Sequence, residues 1–270
     1  MIPNVLTIAG SDPSGGAGIQ ADLKTFSALG AYGMSVITAL TVQNTQGVRA
    51  VQAIEPTFVA AQIDAIFEDV RVDAVKIGMV ATAEIATTIA DRLRHHAARN
   101  VVLDPVMVAK SGDRLLREDA VAAVRDRLVP LASVITPNLP EAAVLLSGPE
   151  PTTLPEMHQA VRLLHRLGPR YVLLKGGHLT TADSPDLLFD SETITELTSP
   201  RIATRNTHGT GCTLSAAIAA LLPQYAMVEA VRRAKTYLTA AIAASGRLTV
   251  GTGHGPVHHF HAVWTEDQAE

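Results

Sequence analysis

Cysteine is almost absent from this sequence, since Cys212 is the only one in 270 residues. A single thiol excludes an intramolecular disulfide framework and is typical of a reducing compartment. Long charged runs are also missing, and the formal net charge is −4 with both signs interspersed, so no basic face marks nucleic-acid binding. The most apolar stretches, 214–222 and 237–244, are too short to span a bilayer, and the N-terminus has no basic region like that of a signal peptide. These absences predict a cytoplasmic protein that binds neither nucleic acid nor membranes.

Several motifs of known chemistry are missing as well. The sequence has no Gly-Lys dipeptide for a Walker A loop, no His-Arg-Asp of a protein kinase, no G-x-S-x-G of a hydrolase and no zinc motif. Residues 16–21 match the G-x-G-x-x-A dinucleotide fingerprint, but the second predicted strand is followed by Gln43-Asn44-Thr45 and lacks the acidic residue that binds a ribose. NAD or FAD binding is therefore disfavoured. The His-His-Phe-His cluster at 258–261 could bind a metal, although packing near the C-terminus is the favoured interpretation.

Short apolar runs alternate with longer amphipathic ones along the chain, and 47% of the residues are hydrophobic. The short runs predict strands at residues 5–9, 35–42, 74–77, 101–103, 134–136 and 172–174. The longer runs predict helices at residues 16–29, 56–67, 83–98, 118–128, 139–146, 155–167, 213–222 and 227–245. Residues 186–189 and 193–197 predict a small hairpin around Asp190-Ser191. This alternation predicts one α/β domain over residues 1–270, with a central, mostly parallel sheet and helices on both faces.

A turn of small residues, Asn206-Thr-His-Gly-Thr-Gly-Cys212, leads directly into a predicted helix. Free backbone N–H groups and the helix dipole make such a helix start a binding site for an anion, most often phosphate. A thiol at this position is expected to have a lowered pKa, so Cys212 could act as a base or a nucleophile. The alternative is a glycine-rich turn before a core helix, with a small apolar cysteine packed inside.

Polar residues follow the other predicted strands, at the edge where ligands bind in open α/β sheets. Asp104 and Glu141 could hold Mg²⁺ together with phosphate oxygens, although Glu141 could instead only stabilise the start of its helix. Lys175 ends an apolar strand, where a lysine is costly unless an anion meets it. Gln43 offers the donors and acceptor that would pair with the edge of an aminopyrimidine, or it could cap a loop.

These segments taken in order resemble a known family of enzymes over nearly the whole chain. The matching segments are residues 9–22, Val42-Gln-Asn-Thr45, Lys76-Ile-Gly-Met79, Asp104-Pro-Val-Met107, Thr136-Pro-Asn138, Leu174-Lys-Gly-Gly-His178, Thr207-His-Gly-Thr-Gly-Cys212 and residues 253–259. Together they resemble the hydroxymethylpyrimidine and phosphomethylpyrimidine kinases of thiamine biosynthesis, which have the ribokinase-like fold. The resemblance implies a homodimer that uses ATP and Mg²⁺. It also implies a small-molecule substrate, 4-amino-5-hydroxymethyl-2-methylpyrimidine, and then its monophosphate.

The resemblance also implies roles for individual residues. Gln43 would bind the pyrimidine edge, and the pocket around it would be lined by Gly10, Val42 and Met79. The amides of Gly209, Thr210, Gly211 and Cys212 would hold the transferring phosphoryl group, and the Cys212 thiolate would accept the proton of the attacking hydroxyl. ATP would lie near Asn138, Lys175, Thr207 and Lys235, and Mg²⁺ near Asp104 and Glu141. The open alternatives are pyridoxal or pyridoxine kinase activity, alone or as a side reaction, and a non-catalytic sensor, which the intact helix start disfavours.

Overall fold

A computed structural model describes residues 1–107, 118–179 and 183–264 of the protein. The sequence does not tell whether residues 110–113 form a lid over the site, and these residues lie outside the described part of the chain. The described strands are β1 (Asn4–Ala9), β2 (Tyr32–Ile37), β3 (Ala39–Asn44), β4 (Gly47–Ala53), β5 (Ala74–Ile77), β6 (Val101–Leu103), β7 (Val134–Ile135), β8 (Tyr171–Lys175), β9 (Asp183–Phe189) and β10 (Ile194–Pro200). The described α-helices are α1 (Gly18–Ala28), α2 (Pro56–Asp69), α3 (Ala83–His95), α4 (Glu118–Ala123), α5 (Leu139–Leu146), α6 (Leu154–His165), α7 (Thr210–Leu221) and α8 (Met227–Ala243).

Eight strands form one sheet in the order β10-β9-β8-β7-β6-β5-β1-β2, and β3 and β4 form a separate hairpin. Within this sheet the neighbouring strands β2, β1, β5, β6, β7 and β8 pair in parallel. β9 and β10 pair antiparallel at its edge. Alternation along β1 shows how the two faces are filled, because Leu6 and Ile8 pack on the side of α2 to α6 while Val5 packs against α1, α7 and α8. The predicted mostly parallel sheet with helices on both faces is confirmed.

The predicted strand at 35–42 is wrong, because two strands meet there. Thr38 is buried at the corner between them, where its N–H donates to the Ala9 carbonyl oxygen and its hydroxyl to that of Met79. These bonds end β2 in the main sheet and send β3 out of it. β4, which the sequence analysis missed, returns antiparallel to β3. A run of apolar residues does not reveal such a corner, because it depends on tertiary hydrogen bonds.

Several helix boundaries also differ from the prediction, and two of them have an evident structural cause or consequence. α1 begins at Gly18, two residues later than predicted, because the Asp12 carboxylate holds the N–H groups of Gly16 and Ala17 in the preceding loop. α4 ends at Ala123, after which a π-helical turn at Val124–Leu128 and a 3-10 turn at Val129–Leu131 follow. The predicted hairpin around Asp190-Ser191 is confirmed, and it is longer than expected, because β9 and β10 each have seven residues. In the part of the chain that the structure describes, no helix is both long and apolar enough to cross a membrane.

Candidate active site

A cavity of about 840 Å³ lies at the carboxyl ends of the parallel strands. The residues that follow β1, β5, β6, β7 and β8 contribute Gly10, Met79, Asp104, Asn138 and Gly177 to its wall. The hairpin β3–β4 borders one end of the cavity, and the helices α7 and α8 border the other. Every residue predicted for the site lines this cavity except Val42.

Val42 lies on the wrong face of β3 to contact a ligand in the cavity. Neighbouring side chains of a strand point to opposite sides, and Thr41 and Gln43 take the side that faces the cavity. The side chain of Val42 is therefore turned outward, and 57% of the residue is exposed to solvent. Val42 is therefore not among the residues that line this cavity, and its place in the substrate pocket stays a prediction.

Gly10, Met79 and Gln43 form the end of the cavity next to the hairpin. Gly10 and Met79 are packed against each other, because a Cβ atom on Gly10 would lie 2.4 Å from Met79 Cε, the end of a flexible side chain. Gln43 Oε1 lies 3.3 Å from the Thr41 hydroxyl, and its Nε2 lies 3.5 Å from His208 Nε2. Gln43 is therefore a side chain of the cavity wall rather than the cap of a loop.

The helix α7 begins at Thr210, three residues earlier than predicted, so that Cys212 belongs to the first turn of the helix. Gly209 caps this helix with a left-handed backbone, at φ 75°. A Cβ atom on Gly209 would lie 1.8 Å from the Gly16 carbonyl oxygen, so glycine is required for the two loops to approach. The first N–H groups of a helix have no partner within it, and here the turn that carries them lines the cavity. The geometry suits an anion.

The thiol of Cys212 does not have the lowered pKa that its place at a helix start led us to expect. Burial raises the pKa of Cys212 to about 11; the Lys76 ammonium opposes this rise, and the Asp22 and Asp104 carboxylates add to it. Burial of the sulfur and the two carboxylates outweigh the groups that lower this pKa, which are the Lys76 ammonium and a backbone hydrogen bond from Gly18. At neutral pH Cys212 is therefore mainly a neutral thiol.

Asp104 and Lys175 form a close ion pair at the centre of the cavity. Lys175 Nζ lies 3.0 Å from Asp104 Oδ1, which also accepts a hydrogen bond from the Thr136 hydroxyl at 3.0 Å. Burial disfavours the charged carboxylate, but the ammonium groups of Lys175 and Lys76 hold the pKa of Asp104 below its ordinary value. A Cβ atom on Gly211 would lie 3.3 Å from Lys175 Nζ and 3.5 Å from Asp104 Oδ2, so the pair adjoins the start of α7.

Glu141 and Asn138 stabilise the start of α5 by a capping box. The Glu141 carboxylate accepts a hydrogen bond from the Asn138 N–H at 2.8 Å, and the Asn138 side chain accepts one from the Glu141 N–H at 2.8 Å. Burial raises the pKa of Glu141 to about 7; Lys175 opposes this rise and Asp104 adds to it. Glu141 thus has a structural role at a helix start, and it also lines the cavity beside the Asp104–Lys175 pair.

The far end of the cavity, next to α8, is partly apolar. Lys235 reaches from α8 to Asp186 Oδ2 at 2.5 Å and to the Ser184 carbonyl oxygen at 3.0 Å. Thr207, in the turn that precedes α7, also lines the cavity. The apolar part is lined by Ile202, Leu214, Leu238 and Ile242. A heterocyclic base could lie against these side chains, while charged groups could bind its phosphates.

Sequence reasoning missed two hydrogen-bonded pairs at this site, one of lysine with aspartate and one of histidine with aspartate. Lys76 Nζ lies 2.8 Å from Asp22 Oδ2, and none of either side chain is exposed. His208 Nε2 lies 2.7 Å from Asp12 Oδ2, in the loop that follows β1. A lysine in the middle of an apolar strand was a detectable signal for the first pair, because such a charge needs a partner. The second pair joins residues 196 positions apart, which no local pattern predicts.

A family model described as phosphomethylpyrimidine kinase matches residues 12–258 of the chain. The hydroxymethylpyrimidine/phosphomethylpyrimidine kinase of Escherichia coli K12 is 60% identical over 97% of this chain and 98% of its own length. A solved structure of a phosphomethylpyrimidine kinase from Clostridium difficile 630 superposes with a TM-score of 0.80 at 45% identity, covering 89% of this chain and 99% of that chain. The ADP complex of a Bacillus subtilis pyridoxal kinase superposes with a TM-score of 0.90 at 40% identity, covering 97% of this chain and 99% of that chain.

Proposed function

This chain belongs to the phosphomethylpyrimidine kinase family, and we propose that its one described cavity carries out two successive phosphorylations. The protein is a ribokinase-like kinase of thiamine biosynthesis that phosphorylates 4-amino-5-hydroxymethyl-2-methylpyrimidine and then its monophosphate. The donor is ATP, as the kinase family implies. The observation that carries the proposal is that Gln43, the start of α7 and the Asp104–Lys175 pair line the same cavity.

The acceptor and the donor enter from opposite ends of this cavity. Gln43 would hold the pyrimidine edge, with Gly10 and Met79 beneath the ring. At the other end, the apolar wall near α8 would receive the adenine of ATP, and Asn138, Thr207 and Lys235 would lie along its phosphates. The reacting atoms would then meet at the start of α7, midway between the two ends.

The chain's own positive groups stabilise the transferring phosphoryl group. Phosphoryl transfer needs positioning and neutralisation of charge more than it needs covalent chemistry. The N–H groups of Gly211 and Cys212 in the first turn of α7, together with the Lys175 ammonium, are held in place before the reaction and would face the place where negative charge develops. Fixed groups of this kind cost no reorganisation during the reaction, so they account for most of the expected rate enhancement.

The carboxylates of the site fit Mg²⁺, which takes few protein ligands and keeps several waters. Lys175 and Thr136 both bind Asp104 Oδ1, so Oδ2 is the oxygen available to a cation. Among the described residues no group of three or more His, Cys, Asp or Glu side chains could hold a metal. Asp104 and Glu141 would hold Mg²⁺, which when bound would neutralise phosphate charge.

Cys212 would accept the proton of the attacking alcohol in the first step. The raised thiol pKa means that only a small part of the free enzyme holds the basic form at neutral pH. The monophosphate accepts in the second step with an oxygen that is already largely deprotonated, because the second pKa of a phosphate ester is about 6. The base should therefore matter for the first step and little for the second.

A time course tests whether one site performs both reactions. Purified protein is supplied with ATP, Mg²⁺ and the pyrimidine alcohol, and the alcohol, monophosphate and diphosphate are separated by chromatography. We expect the monophosphate to rise and then fall as the diphosphate forms, and added monophosphate should compete with the alcohol because both use one site. If no diphosphate is ever formed, the two-step proposal is wrong.

Pyridoxal kinase activity is a second candidate, as a side reaction, because the superposition with a pyridoxal kinase covers nearly the whole chain. Pyridoxine also carries a hydroxymethyl group on a nitrogen heterocycle. The two activities are separated by kcat/KM for the pyrimidine and for pyridoxal, and we expect the pyrimidine to be preferred. An equal or higher value for pyridoxal would reverse the assignment.

We also propose that residues 1–270 act as one kinase domain in a cytoplasmic homodimer. The outer face of the hairpin supports the dimer, because Leu40 and Val42 expose 48% and 57% of their surface there. Apolar side chains in such a position are typical of a contact between copies of a chain. Sedimentation of the wild type and of Val42→Lys checks this, with a dimer expected for the first and a monomer for the second.

A further inference from the structure

Five residues at the hairpin end of the cavity form a continuous row of hydrogen-bonding groups. His208 Nε2 lies 2.7 Å from Asp12 Oδ2 and 3.5 Å from Gln43 Nε2. On the other side of the amide, Gln43 Oε1 lies 3.3 Å from the Thr41 hydroxyl, and that hydroxyl lies 2.9 Å from the Ser11 carbonyl oxygen. The row therefore runs from a carboxylate to a backbone carbonyl, with the Gln43 amide in its middle.

Asp12 fixes the direction of hydrogen bonding at one end of the row. Burial opposes its charge, but hydrogen bonds from His208 and Ser14 lower the pKa of Asp12 to about 2, so the carboxylate can only accept. The same Oδ2 atom also accepts hydrogen bonds from the N–H groups of Gly16 and Ala17. His208 Nε2 must therefore carry a proton, and a protonated ring nitrogen cannot accept a hydrogen bond from Gln43 Nε2.

Thr41 fixes the direction at the other end. A hydroxyl has one hydrogen, and Thr41 donates it to the Ser11 carbonyl oxygen at the shorter of its two distances. The Thr41 oxygen can then only accept, so Gln43 Oε1 meets an acceptor and Gln43 Nε2 meets a donor. If the amide turns by half a revolution, the mismatch at Thr41 disappears and Gln43 Oε1, instead of an N–H, faces the His208 N–H, whose one hydrogen is donated mainly to Asp12 at 2.7 Å. The two ends of the amide have nearly the same shape and are told apart by their partners.

We propose that Asp12 and His208 are positioning residues that hold the Gln43 amide in this turned orientation when the substrate binds. This inference rests on the proposed function and names a determinant of its specificity. In the turned amide, Oε1 faces the His208 N–H and Nε2 faces the Thr41 oxygen. One lone pair and one N–H remain for the ligand, and their order is fixed by the row.

The fixed order makes the site choose between two closely similar heterocycles. A 4-aminopyrimidine presents an amino donor beside a ring-nitrogen acceptor, whereas a 4-oxopyrimidine presents an acceptor beside an N–H donor. A free glutamine amide would pair with either, since it could turn to suit each. Here the turn required for the oxo form would break the contacts with His208 and Thr41. An unmatched polar pair in a buried site is costly, so the oxo form should be rejected.

The experiment compares kcat/KM for 4-amino-5-hydroxymethyl-2-methylpyrimidine with that for its 4-oxo counterpart. We expect the wild type to prefer the amino form, and we expect this preference to fall tenfold or more, mainly through KM, in His208→Phe and in Thr41→Val. His208→Phe keeps a ring and removes the N–H, and Thr41→Val keeps the shape and removes the hydroxyl. Thr41→Ser is the matched control, because it keeps the hydroxyl and should keep the preference.

The outcomes separate this inference from the proposed function. If the wild type phosphorylates neither pyrimidine, the proposed function fails. If it phosphorylates both equally well, or if Thr41→Val and His208→Phe keep the wild-type preference while both activities fall together, the function stands and the positioning role is wrong. Thr41 lies on the hairpin outside the main sheet, so Thr41→Val decides the question even if His208→Phe does not fold.

Discussion

Two buried lysine–aspartate pairs at the central sheet of this protein differ in their exposure to solvent. Lys76 and Asp22 are 2.8 Å apart with 0% of either side chain exposed, whereas Lys175 and Asp104 are 3.0 Å apart with 14% and 3% exposed. The first pair is closed, with its charges opposed to each other. The second opens to the cavity and leaves Asp104 Oδ2 beside the start of α7. The same pair of residue types is thus enclosed in the fold in one place and borders the proposed reaction site in the other.

Because the two pairs differ in exposure, a charged residue inside a sheet is not by itself a sign of a catalytic site. Burial disfavours the charge on Lys76, but Asp22, Cys212 and Asp104 together raise its pKa above the ordinary value. Lys76 is therefore charged at neutral pH, and among the described residues Asp22 Oδ1 has no hydrogen-bond partner. Replacing only one residue of the Lys76–Asp22 pair should lower the stability of the protein, whereas replacing Lys175 should mainly lower the rate of the reaction.

Lys76→Met should therefore have the largest effect on stability, because it leaves the Asp22 charge buried without a partner. We expect the free energy of unfolding to fall by ~3–5 kcal/mol. The double variant Lys76→Met with Asp22→Asn removes both charges and should recover a large part of this loss. Urea denaturation followed by circular dichroism measures both. A Lys76→Met protein that is as stable as the wild type but inactive would move Lys76 into the catalytic machinery.

Lys175→Met makes the same substitution at the open pair and should act chiefly on the rate. Removing one fixed charge that faces a developing anion typically lowers kcat by ~10²–10³-fold, and both phosphorylations should suffer because both transfer the same group. Initial rates with the alcohol and with the monophosphate give the comparison. A loss confined to one of the two steps would contradict the shared role of Lys175.

Gln43→Leu should weaken pyrimidine binding and spare ATP binding, because the two ligands occupy opposite ends of the cavity. Losing the partner of a buried polar edge costs ~1–3 kcal/mol. Calorimetric titration with each ligand alone separates the two affinities, and Gln52→Leu on β4 of the same hairpin is a suitable control, because Gln52 is exposed and does not line the cavity. Unchanged affinity for the pyrimidine would remove Gln43 from the recognition site.

Glu141→Gln should change stability least, because glutamine can also complete a capping box at this position. The lost charge at the start of a helix is worth ~0.3–1 kcal/mol. The concentration of Mg²⁺ needed for half-maximal rate should rise, since the variant keeps the shape of the side chain and loses its charge. A normal Mg²⁺ dependence together with a lowered Tm would leave Glu141 with its structural role alone.

The sequence was sufficient to predict features that depend on local pattern. The apolar run at β5, the turn before α7 and the positions of Asp104 and Lys175 at strand ends all follow from periodicity and from the chemistry of parallel sheets. Features set by tertiary contacts could not be predicted in this way. The corner at Thr38 depends on hydrogen bonds to Ala9 and Met79, which are distant in the sequence.

The chemistry of Cys212 shows the same limit. A helix start alone predicts a lowered thiol pKa, but the buried position and two nearby carboxylates from other elements raise it instead. The apolar surroundings and the carboxylates come together only in the fold. The order of hydrogen bonds through Asp12, His208 and Gln43 is equally invisible in one dimension, although each residue lies in a segment that the family resemblance includes.

One site is proposed to transfer two phosphoryl groups in succession and to need a general base only for the first transfer. The most direct test measures Cys212→Ala with the pyrimidine alcohol and, separately, with its monophosphate, by chromatography of the products. We predict that the rate with the alcohol falls by ~10²–10⁴-fold, as is typical for loss of a general base, while the rate with the monophosphate falls far less. Equal losses with both acceptors, or a wild-type rate with the alcohol, would contradict the account.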